Sequence, residues 1–163
     1  MNGIHVELGT REVTAEKDLT LNGNASQNIF QITGAVNIVK FFGVVATALA
    51  ADVTGAYLEI DDGTAQVVLT LVAGAPDISS LPVGSFLVKA NLATSILSVH
   101  SAAAAALSEV VRNTIFSKFG VIQKTGGVAT YIRLTRAGAG ASGKIHWHCI
   151  WEALSDDANI VAV

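Results

Sequence analysis

A chain of 163 residues and 16.8 kDa has the length of one domain, yet it is 51% hydrophobic and only 14% charged, against roughly 25% charged in ordinary soluble domains. The net charge of −3 offers no basic field to a phosphate backbone, which excludes general nucleic-acid binding. The apolar run Phe41 to Ala51, bounded by Lys40 and Asp52, falls short of the about 20 residues a membrane-spanning helix requires.

By area scaling, a monomer of this mass exposes roughly 7,600 Å². The 23 charged side chains, 13 acidic plus 10 basic, are few for that surface. An obligate interface of about 1,000–2,500 Å² per subunit removes the mismatch, so the composition predicts a homo-oligomer.

Met1 to Glu7 lacks the cationic and then apolar plan of a signal peptide, which predicts synthesis and residence in a cytosol-like compartment. Six of the 23 charges fall between Glu7 and Asp18. Residues 1–20 therefore read as an N-terminal arm or a first strand, ahead of a single domain over 21–163. Asn28–Thr33 and Val36–Thr47, rich in Ile, Val and Phe and separated by Gly34, fit strands. Ala56–Ile60 and Gln66–Leu71 flank Asp61-Asp62-Gly63-Thr64, a hairpin signal. Turns at Gly74–Asp77 and Leu81–Gly84 lead to a short strand over Ser85–Lys89, and strands follow at Ile96–Val99, Thr114–Gln123, Val128–Thr135 and Lys144–Glu152. Ser101 to Arg112 opens with a possible N-cap and five alanines, which suit a short helix or a close-packed loop. The fold class is all-β: a β-sandwich or jelly-roll-like domain with at most one short helix near 101–112.

Gly138-Ala139-Gly140-Ala141-Ser142-Gly143 is a formal G-x-G-x-x-G, and through Lys144 it approaches a phosphate-binding loop. That chemistry requires a helix after the glycines, whose N-terminal N–H groups hold phosphate. Only twenty residues remain after Gly143, whereas the complete unit takes about thirty, so a hairpin loop is expected and no cofactor. The pattern of Ile145 to Leu154 can be forced onto a helix as well as a strand. In a strand, His146 and His148 share a face with Lys144, Ile150 and Glu152, opposite Ile145, Trp147, Cys149 and Trp151. The two histidines are weak metal candidates, since one protomer offers two imidazoles and at most Glu152, short of a tetrahedral set unless a symmetry axis multiplies them.

Cys149 is the lone cysteine, which excludes an intrachain disulfide and reads as a small buried hydrophobe. No G-x-S-x-G elbow is present, and His5 and His100 have no defined nucleophile beside them, so no catalytic triad is expected and the chain reads as a non-enzyme. Asp61-Asp62 and Asp156-Asp157 lie in turn-like settings without the spaced acids of a calcium loop. Trp147 and Trp151 suit a core better than a sugar-stacking platform.

Ala56 to Thr64, Gly74 to Ser85 and Ile145 to Asp157 resemble the turn and strand sequences of small β-rich virion proteins of tailed bacteriophages, which act as capsid decoration (cement) subunits or as tail and fibre components. The resemblance implies no active site. It implies a trimeric decoration protein, made in the host cytoplasm and resident in the virion, that braces the major capsid protein or other virion proteins through added interface area. The alternative is a tail or fibre domain that binds host-surface glycan, which exposure of Trp147 or Trp151 would favour.

Overall fold

Alternating apolar and polar residues give a strand one face for a core and one for water, and in this chain the alternation closes two antiparallel sheets over a shared core. The computed structural model describes residues 9–21, 25–50, 53–70, 72–89, 97–102, 118–123, 129–137 and 141–163. Within them run β1 (Arg11–Asp18), β2 (Ala25–Thr33), β3 (Ala35–Thr47), β4 (Thr54–Asp61), β5 (Gln66–Val68), β6 (Phe86–Val88), β7 (Ser98–His100), β8 (Phe119–Ile122), β9 (Thr130–Ala137), β10 (Lys144–Ala153) and β11 (Asn159–Ala162), with one 3-10 turn at Leu19–Leu21. The first sheet has the order β1-β10-β3-β6-β7, with β8 also on β3; the second has the order β11-β2-β9-β4-β5. All pairings are antiparallel. The all-β sandwich expected from the sequence is the fold observed.

β3 is the spine of the first sheet. One edge carries β10 along its length, while the other carries β8 at Ala35–Ile38 and β6 at Phe42–Val44. Its inward Phe41 stacks on Trp147 of β10 with ring centroids 5.3 Å apart, and meets Phe30 of β2 edge-on at 6.0 Å. These three rings, all but sealed from solvent, bridge the two sheets with Ile38, Leu58, Leu87 and Ile132 around them.

The chain passes between sheets at two neighbouring corners. At the β2–β3 corner the Gly34 N–H donates to Gln123 Oε1 (3.1 Å), and its carbonyl accepts from the Gln123 N–H (2.8 Å). The Ala35 N–H donates to Ser155 Oγ (2.8 Å), in the turn that carries β10 over to β11. The two crossings are thereby tied together, and Asp157 accepts from the Ser155 hydroxyl (2.6 Å) to complete the tie.

Most expected strands form with shifted ends. The hairpin of β4 and β5 closes where Asp61 and Asp62 accept from the N–H groups of Gly63, Thr64 and Ala65, so these acids serve the turn. β1 pairs with β10 through all eight of its residues, inside the same sandwich as the other strands. β11 has no counterpart among the strands expected from the sequence. The helix expected near 101–112 falls outside the described residues from 103 on, as do residues 114–117 of an expected strand, and residues 1–8 with His5.

Candidate functional site

β10 begins abruptly because Gly143, at φ +105°, turns the chain there, and a Cβ would fall 2.5 Å from the Ala48 carbonyl oxygen. A side chain has neither the backbone angle nor the room. This glycine serves the entry into a strand, and β10 follows it where a phosphate loop requires a helix. Residues 138–140 of the motif lie outside the described residues.

β10 then alternates as its sequence predicts. Ile145, Trp147, Cys149 and Trp151 are buried, while Lys144, His146, His148, Ile150 and Glu152 face outward. Trp147 and Trp151 belong to the core, so neither supplies the exposed ring that would favour the glycan-binding alternative. Cys149 is buried, and desolvation pushes its thiol up to about 12, so it carries no thiolate nucleophile near neutral pH.

On the outer face the register sets Glu16 of β1 opposite His146, and Thr14 opposite His148. Glu16 accepts from Lys144 Nζ at 2.8 Å and contacts His146 Nε2, while Glu12 lies 3.1 Å from His148 Nδ1. Hydrogen bonds from Lys144 and then His146 hold the exposed Glu16 carboxyl below its usual range, and the same pairing raises Lys144. His148 also lies flat on Phe42 of β3, with ring centroids 4.7 Å apart. The two histidines thus serve two separate carboxylates. Among the described residues no three His, Cys, Asp or Glu side chains gather where they could hold one metal ion. Glu152, the third sequence candidate, accepts from the Asn37 amide (2.8 Å). His100 sits on β7, where burial lowers its pKa.

The outer face of the second sheet holds a polar network that sequence reasoning missed. Across β2, β9 and β4 the register forms three rows: Ser26, Thr135 and Tyr57; Asn28, Arg133 and Glu59; Gln31, Tyr131 and Asp61. Arg133 bonds Glu59 through Nε (2.5 Å) and Asp61 through Nη1. The Thr135 hydroxyl donates to Glu59 Oε1 (2.5 Å) and lies 2.8 Å from Ser26 Oγ. The Glu59 side chain is 2% exposed, so its charge depends on these partners. The i, i+2 spacing of Glu59 with Asp61 and of Arg133 with Thr135 is visible in the sequence, but nothing local says that their strands are neighbours.

Beside this network opens a cleft of about 650 Å³, between the end of β1 and the part of β2 that β11 does not cover. Its walls are Glu16, Lys17, Asp18, Ser26, Gln27, Asn28, Tyr131, Arg133 and Val163. Burial lowers the Lys17 pKa, and hydrogen bonds from Thr20 lower that of Asp18. Compared with protein-family models, curated proteins and solved structures, the chain matches none.

Proposed function

We propose that this chain is a structural subunit that assembles with copies of itself, and that it works as a trimeric bacteriophage capsid decoration protein resident in the virion. The observation that supports self-assembly best is the β5 edge of the second sheet. Gln66-Val67-Val68 carries no charge, all three residues are exposed, Val67 is 60% exposed, and Val72 beyond it is 47% exposed. Monomeric proteins blunt a free edge with charge or bulges because an open, neutral edge pairs with other chains. β1, at the edge of the first sheet, is treated in that way, with Arg11, Glu12, Glu16, Lys17 and Asp18 in eight residues. β5 is not.

The virion assignment rests on the turn and strand resemblance and on the charge-poor composition. On this reading the subunit performs no chemical step. It adds interface area across joints between neighbouring capsid proteins, and its apolar surface is covered by sister copies and by the shell. Light scattering at micromolar concentration is expected to give a mass that is a multiple of 16.8 kDa, and a stable monomer would overturn self-assembly. Imaging of the intact particle is expected to place regularly spaced copies on the shell exterior. Density confined to the tail would overturn the decoration role.

A further inference from the structure

The cleft between β1 and β2 has a chemical character that self-assembly does not use. Its floor is the ladder of β2, β9 and β4, on which Arg133 is held by both Glu59 and Asp61. Ser26 and Asn28 stand on the same outer face beside it, Tyr131 contributes a ring, and Val163 an apolar flank. Gln27, 8% exposed in the wall, spends its amide N–H on the Asp18 carbonyl (2.9 Å), and its buried Oε1 has no hydrogen-bond partner among the described residues.

Charge selects among ligands. The two basic groups of the wall, Lys17 and Arg133, are matched in number by its two acidic ones, Glu16 and Asp18, so the lining carries no net charge to draw an anion. Glu16 is in addition paired with Lys144, so the lining holds no excess of negative charge for a cation either. What remains is a dense set of hydroxyl, amide and carboxylate hydrogen-bonding groups beside one aromatic ring. An added peptide strand fits less well, because the Gln27 amide already bridges β2 to the end of β1 across the gap.

We propose that this cleft binds a neutral saccharide, whose hydroxyl groups meet Asn28, Ser26 and the Arg133 cluster while a sugar face rests on Tyr131. A few fixed polar groups around an aromatic surface are how small-molecule sites orient a ligand, and rigid strands hold them without an ordering cost at binding. The inference does not depend on the virion reading or on oligomeric state.

The test is a titration of isotope-labelled full-length protein, in whatever oligomer it forms, followed by the backbone amide resonances. The probes are lactose, maltotriose, mannobiose and diacetylchitobiose at millimolar concentration, with sialyllactose and inorganic phosphate as the anionic arm and a neutral extended tetrapeptide as the third. At least one neutral saccharide is expected to shift the amides of Ser26, Asn28 and Tyr131 saturably, with affinity weakened about tenfold in Tyr131→Ala. Asn28→Ala, at an exposed position, is expected to weaken it too with an unchanged thermal midpoint, which covers the case in which Tyr131→Ala fails to fold. If no neutral saccharide moves these amides, or if the anions or the peptide move them more strongly, the proposal is wrong. None of these outcomes bears on the light-scattering mass, so the two readings fail separately.

Discussion

Trp147 is the largest fully buried side chain among the described residues. Its ring lies fully buried on Phe41, and it fits because the residue opposite it on β3 is Gly43, where a Cβ would sit 2.9 Å from the Trp147 Cε3 atom and 2.8 Å from Ile145 Cγ2. Trp147→Ala is expected to cost about 3–5 kcal/mol in urea unfolding. Trp147→Phe is expected to cost far less, because it also removes an indole N–H that is buried with no partner among the described residues. His146, exposed on the opposite face, is expected to cost under about 1 kcal/mol when replaced by Ala. Equal losses for Trp147→Ala and His146→Ala would contradict the assigned faces of β10. Cys149 gives a pH test. Its folded pKa is raised to about 12 from an ordinary 9.0, so the thiol stays protonated in the fold while the unfolded chain ionises. Its contribution is whole below pH 9 and is lost as pH rises from there toward 12. Stability is expected to fall over that alkaline range, less so in Cys149→Ala, and a thiol reagent is expected to modify the wild type only on unfolding.

Strand pairing is held on the two outer faces by different means. Between β1 and β10, Glu16 and Glu12 meet Lys144, His146 and His148 at exposed positions, where ion pairs add little and salt screens them. Between β4 and β9 the pair is sheltered. Arg133→Ala would leave Glu59 without its cation in a site 2% exposed, and such a break typically costs about 3–5 kcal/mol. The triple variant Arg133→Met, Glu59→Leu, Asp61→Asn is expected to recover most of that loss in thermal unfolding, since it removes the cation and both of its carboxylates together. A triple variant as unstable as Arg133→Ala would show that the cluster does more than neutralise itself.

For the whole molecule, the low charge of the sequence becomes specific surface. Ile122 is 78% exposed at the β8 edge and Leu154 60% exposed beyond β10, and both flank Ala35 at the start of β3; Val67 stands at β5, on the other sheet. If β5 is the edge that joins copies, Val67→Lys is expected to lower the mass seen by light scattering toward 16.8 kDa without lowering the thermal midpoint of the subunit. An unchanged oligomer would move the interface to the Ile122–Leu154 surface or elsewhere.

The sequence by itself determined what depends on neighbours along the chain. Alternation over Lys144–Glu152 assigned each side chain of β10 to its face, and Asp61-Asp62-Gly63 marked the hairpin, because residue period and turn chemistry are local. It did not determine partners. That β1 lies on β10, that the chain changes sheets at Gly34, that four residues at Asn159–Ala162 form a strand against β2, and that Glu59 meets Arg133 were decided only in the tertiary structure. A short segment such as β11 is too brief to announce itself, and the separation of 74 positions from Glu59 to Arg133 is closed by the shared core and its register, which no local pattern encodes.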